Sequence, residues 1–114
     1  MRPVTSVVSS LLIRAALACC LVVLLPAAPI ISEFLAVNSG ATLTDEDGFP
    51  ADWIEIHNPD DTSINLGGYF LTDDPAVPNK WTFPAVSLAP GAYLRVFASG
   101  KNRTANPDSL HTNF

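Results

Sequence analysis

Two stretches in the middle of this chain alternate apolar with polar or aromatic residues, Asp52-Trp53-Ile54-Glu55-Ile56-His57-Asn58-Pro59 and Gly68-Tyr69-Phe70-Leu71-Thr72-Asp73-Asp74. Both stop at residues that favour turns. A period of two places one set of side chains on one face and the next set on the other, which is the pattern of half-buried strands in an antiparallel sheet. The rest of the second half keeps the same rhythm, so the fold class is all-β.

The N-terminus reads differently. Arg2 and Arg14 supply positive charge, residues 15–25 are continuously apolar, and Pro26-Ala27-Ala28 supplies small residues. This order is that of a secretory signal peptide with a helical apolar segment, here residues 1–28, removed on export. The apolar run is about half of the roughly 20 residues that span a bilayer, which argues against a lasting membrane anchor. Pro29 is a poor residue just after a cleavage site, so the cut position stays open. Leu17-Ala18-Cys19 offers a lipoprotein alternative with imperfect spacing.

Cleavage at this point changes the chemistry of what remains, residues 29–114. Cys19 and Cys20 both leave with the leader, so the mature chain has neither disulfide nor thiol chemistry and its core alone must hold it. Lys80, Arg95, Lys101 and Arg103 then stand against all eleven acids, a balance of −7. Such a surface argues against nucleic acid as a partner, because phosphate binding depends on clustered Lys and Arg. It is compatible with cations, basic proteins or neutral glycans, and with solubility alone.

Along the mature chain, residues 30–37 read as a first strand, with Ile31, Glu33, Leu35 and Val37 on one face and Ile30, Ser32, Phe34 and Ala36 on the other. A long polar loop spans 38–50. Residues 53–57 form the second strand, with Ile54 and Ile56 towards the core and Trp53, Glu55 and His57 opposite. Asn58-Pro59-Asp60-Asp61 is a turn, since Asn and Asp bond nearby backbone and Pro presets φ. Short strands follow at 63–66, 69–72, 81–83 and 86–88, separated by Gly67-Gly68, a loop over 73–79 and Pro84. Ala89-Pro90-Gly91 suits a type II turn. Residues 92–98 then form the most regular strand of all. His111 to Phe114 reads as a strand just beginning, which gives the expectation that the chain is a fragment or the first part of a longer secreted protein. Short strands at turn-marked intervals read as a β-sandwich.

Several blocks in this order resemble the lamin tail domain, in its bacterial, exported branch. They are Ile31-Ser32-Glu33-Phe34-Leu35-Ala36, Asp45-Glu46-Asp47-Gly48, the 52–59 stretch, residues 66–74, Lys80-Trp81-Thr82-Phe83-Pro84 and residues 90–101. The resemblance covers 30–114 and implies an immunoglobulin-like β-sandwich, non-catalytic and usually one module of a larger extracellular protein. It also implies closing strands after Asn113-Phe114, absent from this sequence. Exported relatives often sit beside hydrolase, nuclease or spore-coat-kinase-like domains.

Candidate sites are few. Asp45, Asp47 and the nearby Asp52 could contribute to a calcium site, although about 6–8 oxygen ligands are usual and the loop lacks the EF-hand positions; a structural turn is the competing reading. Asp60-Asp61 and Asp73-Asp74 read as turn and capping residues. His57 and His111 have no cysteines with which to complete a tetrahedral zinc set. Glu33, Asp52 and Glu55 could suggest glycoside cleavage, but that chemistry needs two carboxyls about 5–10 Å apart across a cleft. Ser87, Ser99 and Ser109 lie in no G-x-S-x-G context. Most of the aromatics, Trp53, Tyr69, Phe70, Trp81, Phe83, Tyr93 and Phe97, should pack between the sheets. Trp53 and His57, on one exposed face, could instead bind a protein or a glycan. The sequence therefore predicts a non-enzymatic binding or scaffolding module without a bound cofactor. A calcium- or carbohydrate-binding module and the accessory domain of a secreted enzyme are the alternatives.

Overall fold

In the computed structural model, residues 28–40 and 43–114 are described. The leader reading falls on residues 1–28 and so lies almost wholly outside them. The described residues form eight strands and no helix: β1 (Ile30–Leu35), β2 (Asp52–His57), β3 (Ile64–Asn65), β4 (Phe70–Leu71), β5 (Trp81–Thr82), β6 (Ser87–Leu88), β7 (Tyr93–Ala98) and β8 (Leu110–His111). No helix among them is long and apolar enough to cross a membrane. Three strands have six residues, and the others are cut to two by glycines, prolines and Asx turns.

One sheet has the order β1-β2-β7-β8, while β3 pairs with β6 and β4 with β5 in two separate ribbons. The expected all-β architecture is therefore present. Ile56, Val96 and Leu110 of the large sheet meet Leu66, Leu71, Trp81, Phe83 and Leu88 from the ribbons and their flanks, forming one core. Leu66, Val96 and Leu110 are completely enclosed. Burying a side chain of this size stabilises by about 1.5–3 kcal/mol, which is how the described residues, among which there is no cysteine, hold their layers together. The Trp81 and Phe83 rings meet edge to face with centroids 4.9 Å apart, the arrangement their quadrupoles favour.

The turns follow the local chemistry. Ala92 N–H donates to Ala89 C=O at 3.1 Å and Gly91 takes φ +66°, as a type II turn requires at its third position. Asp60 N–H donates to Asn58 Oδ1 at 3.0 Å, an Asx turn. Asn58 does more than turn the chain. It is fully buried, and its Nδ2 reaches the carbonyls of Thr62 at 2.8 Å and of Leu88 and Ala89 at 3.0 Å. One amide thus fastens the end of β2 to the β6–β7 turn.

Two sequence expectations are corrected. Strict alternation in β1 fails because the register slips between Ile31 and Glu33. Ile31 stands opposite Ile56 and Phe34 opposite Ile54, whereas Ile30, Glu33 and Leu35 face His57, Glu55 and Trp53. A β-bulge adds one residue and so reverses which parity faces inward. The last strand also begins one residue earlier than expected and runs parallel to β7, pairing Val96 with Leu110 and Phe97 with His111.

Candidate functional site

Two regions carry chemistry-bearing side chains. The first is the acidic loop, which folds onto the far end of β7 and onto β8. Asp45 nucleates it: its Oδ1 accepts from the N–H of Asp47 and of Phe49, each at 3.0 Å. Gly48, at φ +82°, donates its N–H to Asp45 C=O at 3.0 Å. Opposite, the chain leaves β7 through Ser99-Gly100-Lys101-Asn102-Arg103. Gly100 at φ +73° and Asn102 at φ +52° adopt left-handed backbone, which Gly and Asn tolerate best.

Both cations in this segment bind the loop. Lys101 Nζ donates to Asp45 Oδ2 and, at 2.6 Å, to Asp47 Oδ2. Arg103 Nη1 reaches Glu46 Oε1 at 2.7 Å and Asp47 Oδ2 at 2.8 Å. Lys101 Nζ also lies 5.2 Å from the centre of the Phe49 ring, within cation–π range.

Behind this ionic layer sits His111, with no solvent exposure. Its Nε2 lies 2.7 Å from Glu46 Oε2 and its Nδ1 lies 2.7 Å from Ser99 Oγ. A carboxylate at Nε2 accepts from the N–H of that nitrogen, and in the neutral imidazole the Ser99 hydroxyl then donates to Nδ1. Ser109 Oγ donates to Glu46 Oε2 as well, and Phe97 stacks on the imidazole at 5.1 Å. The electrostatics match the geometry. Burial pushes the Asp45 carboxyl up, but Lys101 and the Phe49 and Asp47 amides outweigh it and hold the pKa below the usual carboxylate value. Ser109, His111 and Arg103 hold Glu46 well below that range. Lys101 and Arg103 lower Asp47, and Asp45 and Asp47 in turn raise Lys101.

Ser99, His111 and Glu46 are the residue types of a hydrolytic triad. Here they form a clasp. The imidazole is wholly enclosed and ties Glu46 of the acidic loop to Ser99 at the end of β7.

Of the residues singled out in the sequence, Asp45 and Asp47 come together on Lys101, whereas Asp52 lies elsewhere and accepts from the N–H of Asn38 at 2.9 Å. Asp45, Glu46 and His111 bring one ligand atom each to within 4.8 Å of one another. Glu46, Lys101, Arg103 and Ser109 were not foreseen as partners, because they meet across 54 to 65 residues of chain.

The second region is the outer face of the large sheet. Trp53, Glu55 and His57 share it with Tyr93, Arg95 and Phe97, their partners across β2 and β7. The rings of His57 and Tyr93 stack at 4.2 Å and 9°, and Tyr93 is 58 % exposed. The Arg95 guanidinium lies 5.3 Å from the centre of the Trp53 ring, within cation–π range. Ser32, at the bulge, donates to Glu55 Oε1 at 2.8 Å.

An immunoglobulin-like strand order, a clasped acidic loop and an outer aromatic strip are what the residues build. Residues 26–113 match the lamin tail domain. The chain belongs to the lamin tail domain family. Searches of curated proteins and of solved structures give no match. Lamin tail domains are immunoglobulin-like, non-catalytic modules that mediate interactions.

Proposed function

We propose that this lamin tail domain is an exported bacterial module, one part of a longer secreted protein, that holds a protein partner on the outer face of its large sheet. The observation that carries this reading is the stacked His57–Tyr93 pair, exposed at Tyr93 and flanked by Arg95, Glu55 and Trp53. Interface anchors are enriched in Tyr, Trp and Arg, and the rigid rings of Tyr and Trp lose little entropy when they bind. The loop end offers less, because its carboxylates are already engaged by Lys101 and Arg103.

A photo-cross-linking residue placed at Tyr93 in the exported protein tests it, with the same residue at exposed Ser87 as control. Partner adducts from position 93 alone are expected. Equal adducts from both positions, or none from either, would remove the basis for this face.

A cation site is the second reading, favoured by the approach of Asp45, Glu46 and His111. A divalent ion would have to displace Lys101 and Arg103 from the same oxygens. Calorimetry with calcium decides it: heat that vanishes in Asp45→Ala and Asp47→Ala selects the cation site.

A further inference from the structure

Asp47-Gly48 is the only Asp-Gly pair in the chain, and the chain has no Asn-Gly. Such a bond can rearrange without any enzyme. The amide nitrogen that follows an aspartate attacks that residue's own side-chain carboxyl, and a glycine, having no Cβ, puts nothing in the way. A bond forms between Gly48 N and Asp47 Cγ, and one carboxyl oxygen leaves as water, taking the amide hydrogen and a solvent proton. Water then opens the five-membered succinimide. Opening at the Asp47 backbone carbonyl returns the hydrogen to nitrogen and leaves isoaspartate, with the main chain routed through the side-chain carbons.

The surroundings do not prevent this by crowding. Gly48 is exposed, and no atom lies within 4 Å of where its Cβ would stand, so water has free access. The reacting groups are instead held apart by their partners. Gly48 N–H, which carries the nucleophile, donates to Asp45 C=O at 3.0 Å. The carboxyl under attack is fixed by Lys101 Nζ at 2.6 Å and Arg103 Nη1 at 2.8 Å from Asp47 Oδ2. Asp47 N–H is tied to Asp45 Oδ1 at 3.0 Å. Ring closure needs the two atoms aligned at about 3–3.5 Å before they react. Reaching that geometry swings the carboxyl away from both cations and frees the Gly48 amide, so the rate follows the fraction of molecules whose loop is open.

We propose that the Asp47–Gly48 bond is a self-modification site, held intact by Lys101 and Arg103 and converted to isoaspartate when they let go. The product does not fit the clasp. Isoaspartate adds one atom to the main chain inside the span that Asp45 closes onto Gly48 and Phe49. Its free carboxylate sits directly on Cα, one carbon short of the arm that reaches Lys101 and Arg103. Prolonged opening of the acidic loop is thereby recorded as a lasting covalent change.

The test compares the protein folded and in concentrated urea, at one neutral pH and one temperature. Isoaspartate at position 47 is followed by fragmentation mass spectrometry. Conversion is expected to be about tenfold slower in the folded protein than in urea. Lys101→Met combined with Arg103→Met, with its fold verified by circular dichroism, should raise the folded-state rate about fivefold. Equal rates in the folded protein and in urea overturn the proposal. An unchanged rate in the folded double variant also overturns it, because backbone pairing then protects the bond without the cations. If the double variant does not fold, Arg103→Met alone replaces it, since that side chain is half-exposed and the Lys101 pairs stay in place. A rise of about threefold is then expected, and no rise overturns the proposal.

Discussion

Replacing Asn58 by Ala tests whether one buried amide joins the two layers. Its Nδ2 carries two hydrogens shared among the carbonyls of Thr62, Leu88 and Ala89, and its Oδ1 accepts from Asp60. About three net hydrogen bonds at ~1 kcal/mol each are lost, and the Leu88 carbonyl left in a buried setting adds about 1 kcal/mol more. The expected loss is therefore about 3–4 kcal/mol, a large share of the roughly 5–15 kcal/mol typical of a domain. Urea denaturation of the protein, followed by tryptophan fluorescence, measures it: with a slope of ~1 kcal/mol per molar, the midpoint falls by about 3 M. Asn58→Asp is the sharper variant. It nearly conserves shape but converts the donor into a second acceptor facing three carbonyls, so it should be at least as damaging as Asn58→Ala. If Asn58→Ala costs under about 1 kcal/mol, or if Asn58→Asp is well tolerated, the amide is not the tie and backbone pairing alone holds this corner.

Other expectations follow from the same structure. Asp45, Glu46 and Asp47 are held below their ordinary pKa in the folded protein, so the unfolded chain binds more protons as pH falls and the clasp's contribution is lost below about pH 4. Thermal unfolding from about pH 6 to pH 2 should show that decline, and Lys101→Met should flatten it; a parallel curve for the variant would contradict the assignment. Trp81 is buried, yet its Nε1 has no hydrogen-bond partner. Trp81→Phe should therefore cost under about 1.5 kcal/mol, less than a lost indole bond plus lost area would imply; a larger loss by denaturation would show that the N–H is satisfied. Leu110→Ala should remove about 2–5 kcal/mol, because this wholly enclosed side chain anchors β8 to the core; a loss under about 1 kcal/mol would show that β8 is peripheral.

The residues themselves show which features were legible in advance. The period-two pattern at Trp53–His57 and at Tyr93–Ala98 is a property of neighbours along the chain, and the strands stand where it places them. Turn chemistry is equally local: Asn58 bonds its own turn, and Pro90-Gly91 adopts the backbone that only a residue without a side chain takes freely. The family could also be read from the sequence, because its blocks are contiguous stretches in a fixed order. The clasp could not be. Lys101 lies 56 residues from Asp45, Arg103 57 from Glu46, and His111 65 from Glu46; an acidic loop looks the same in sequence whether it meets calcium, solvent or a lysine. Nor could the bulge, since a strand's own residues do not say where its partner gains or loses one in register. Pattern along the chain therefore determined the strands, the turns and the all-β class. Only the packed structure decided which side of β1 faces inward, that β8 runs parallel to β7, and which charges neutralise one another, because pairing across the fold depends on distances that a linear sequence does not contain.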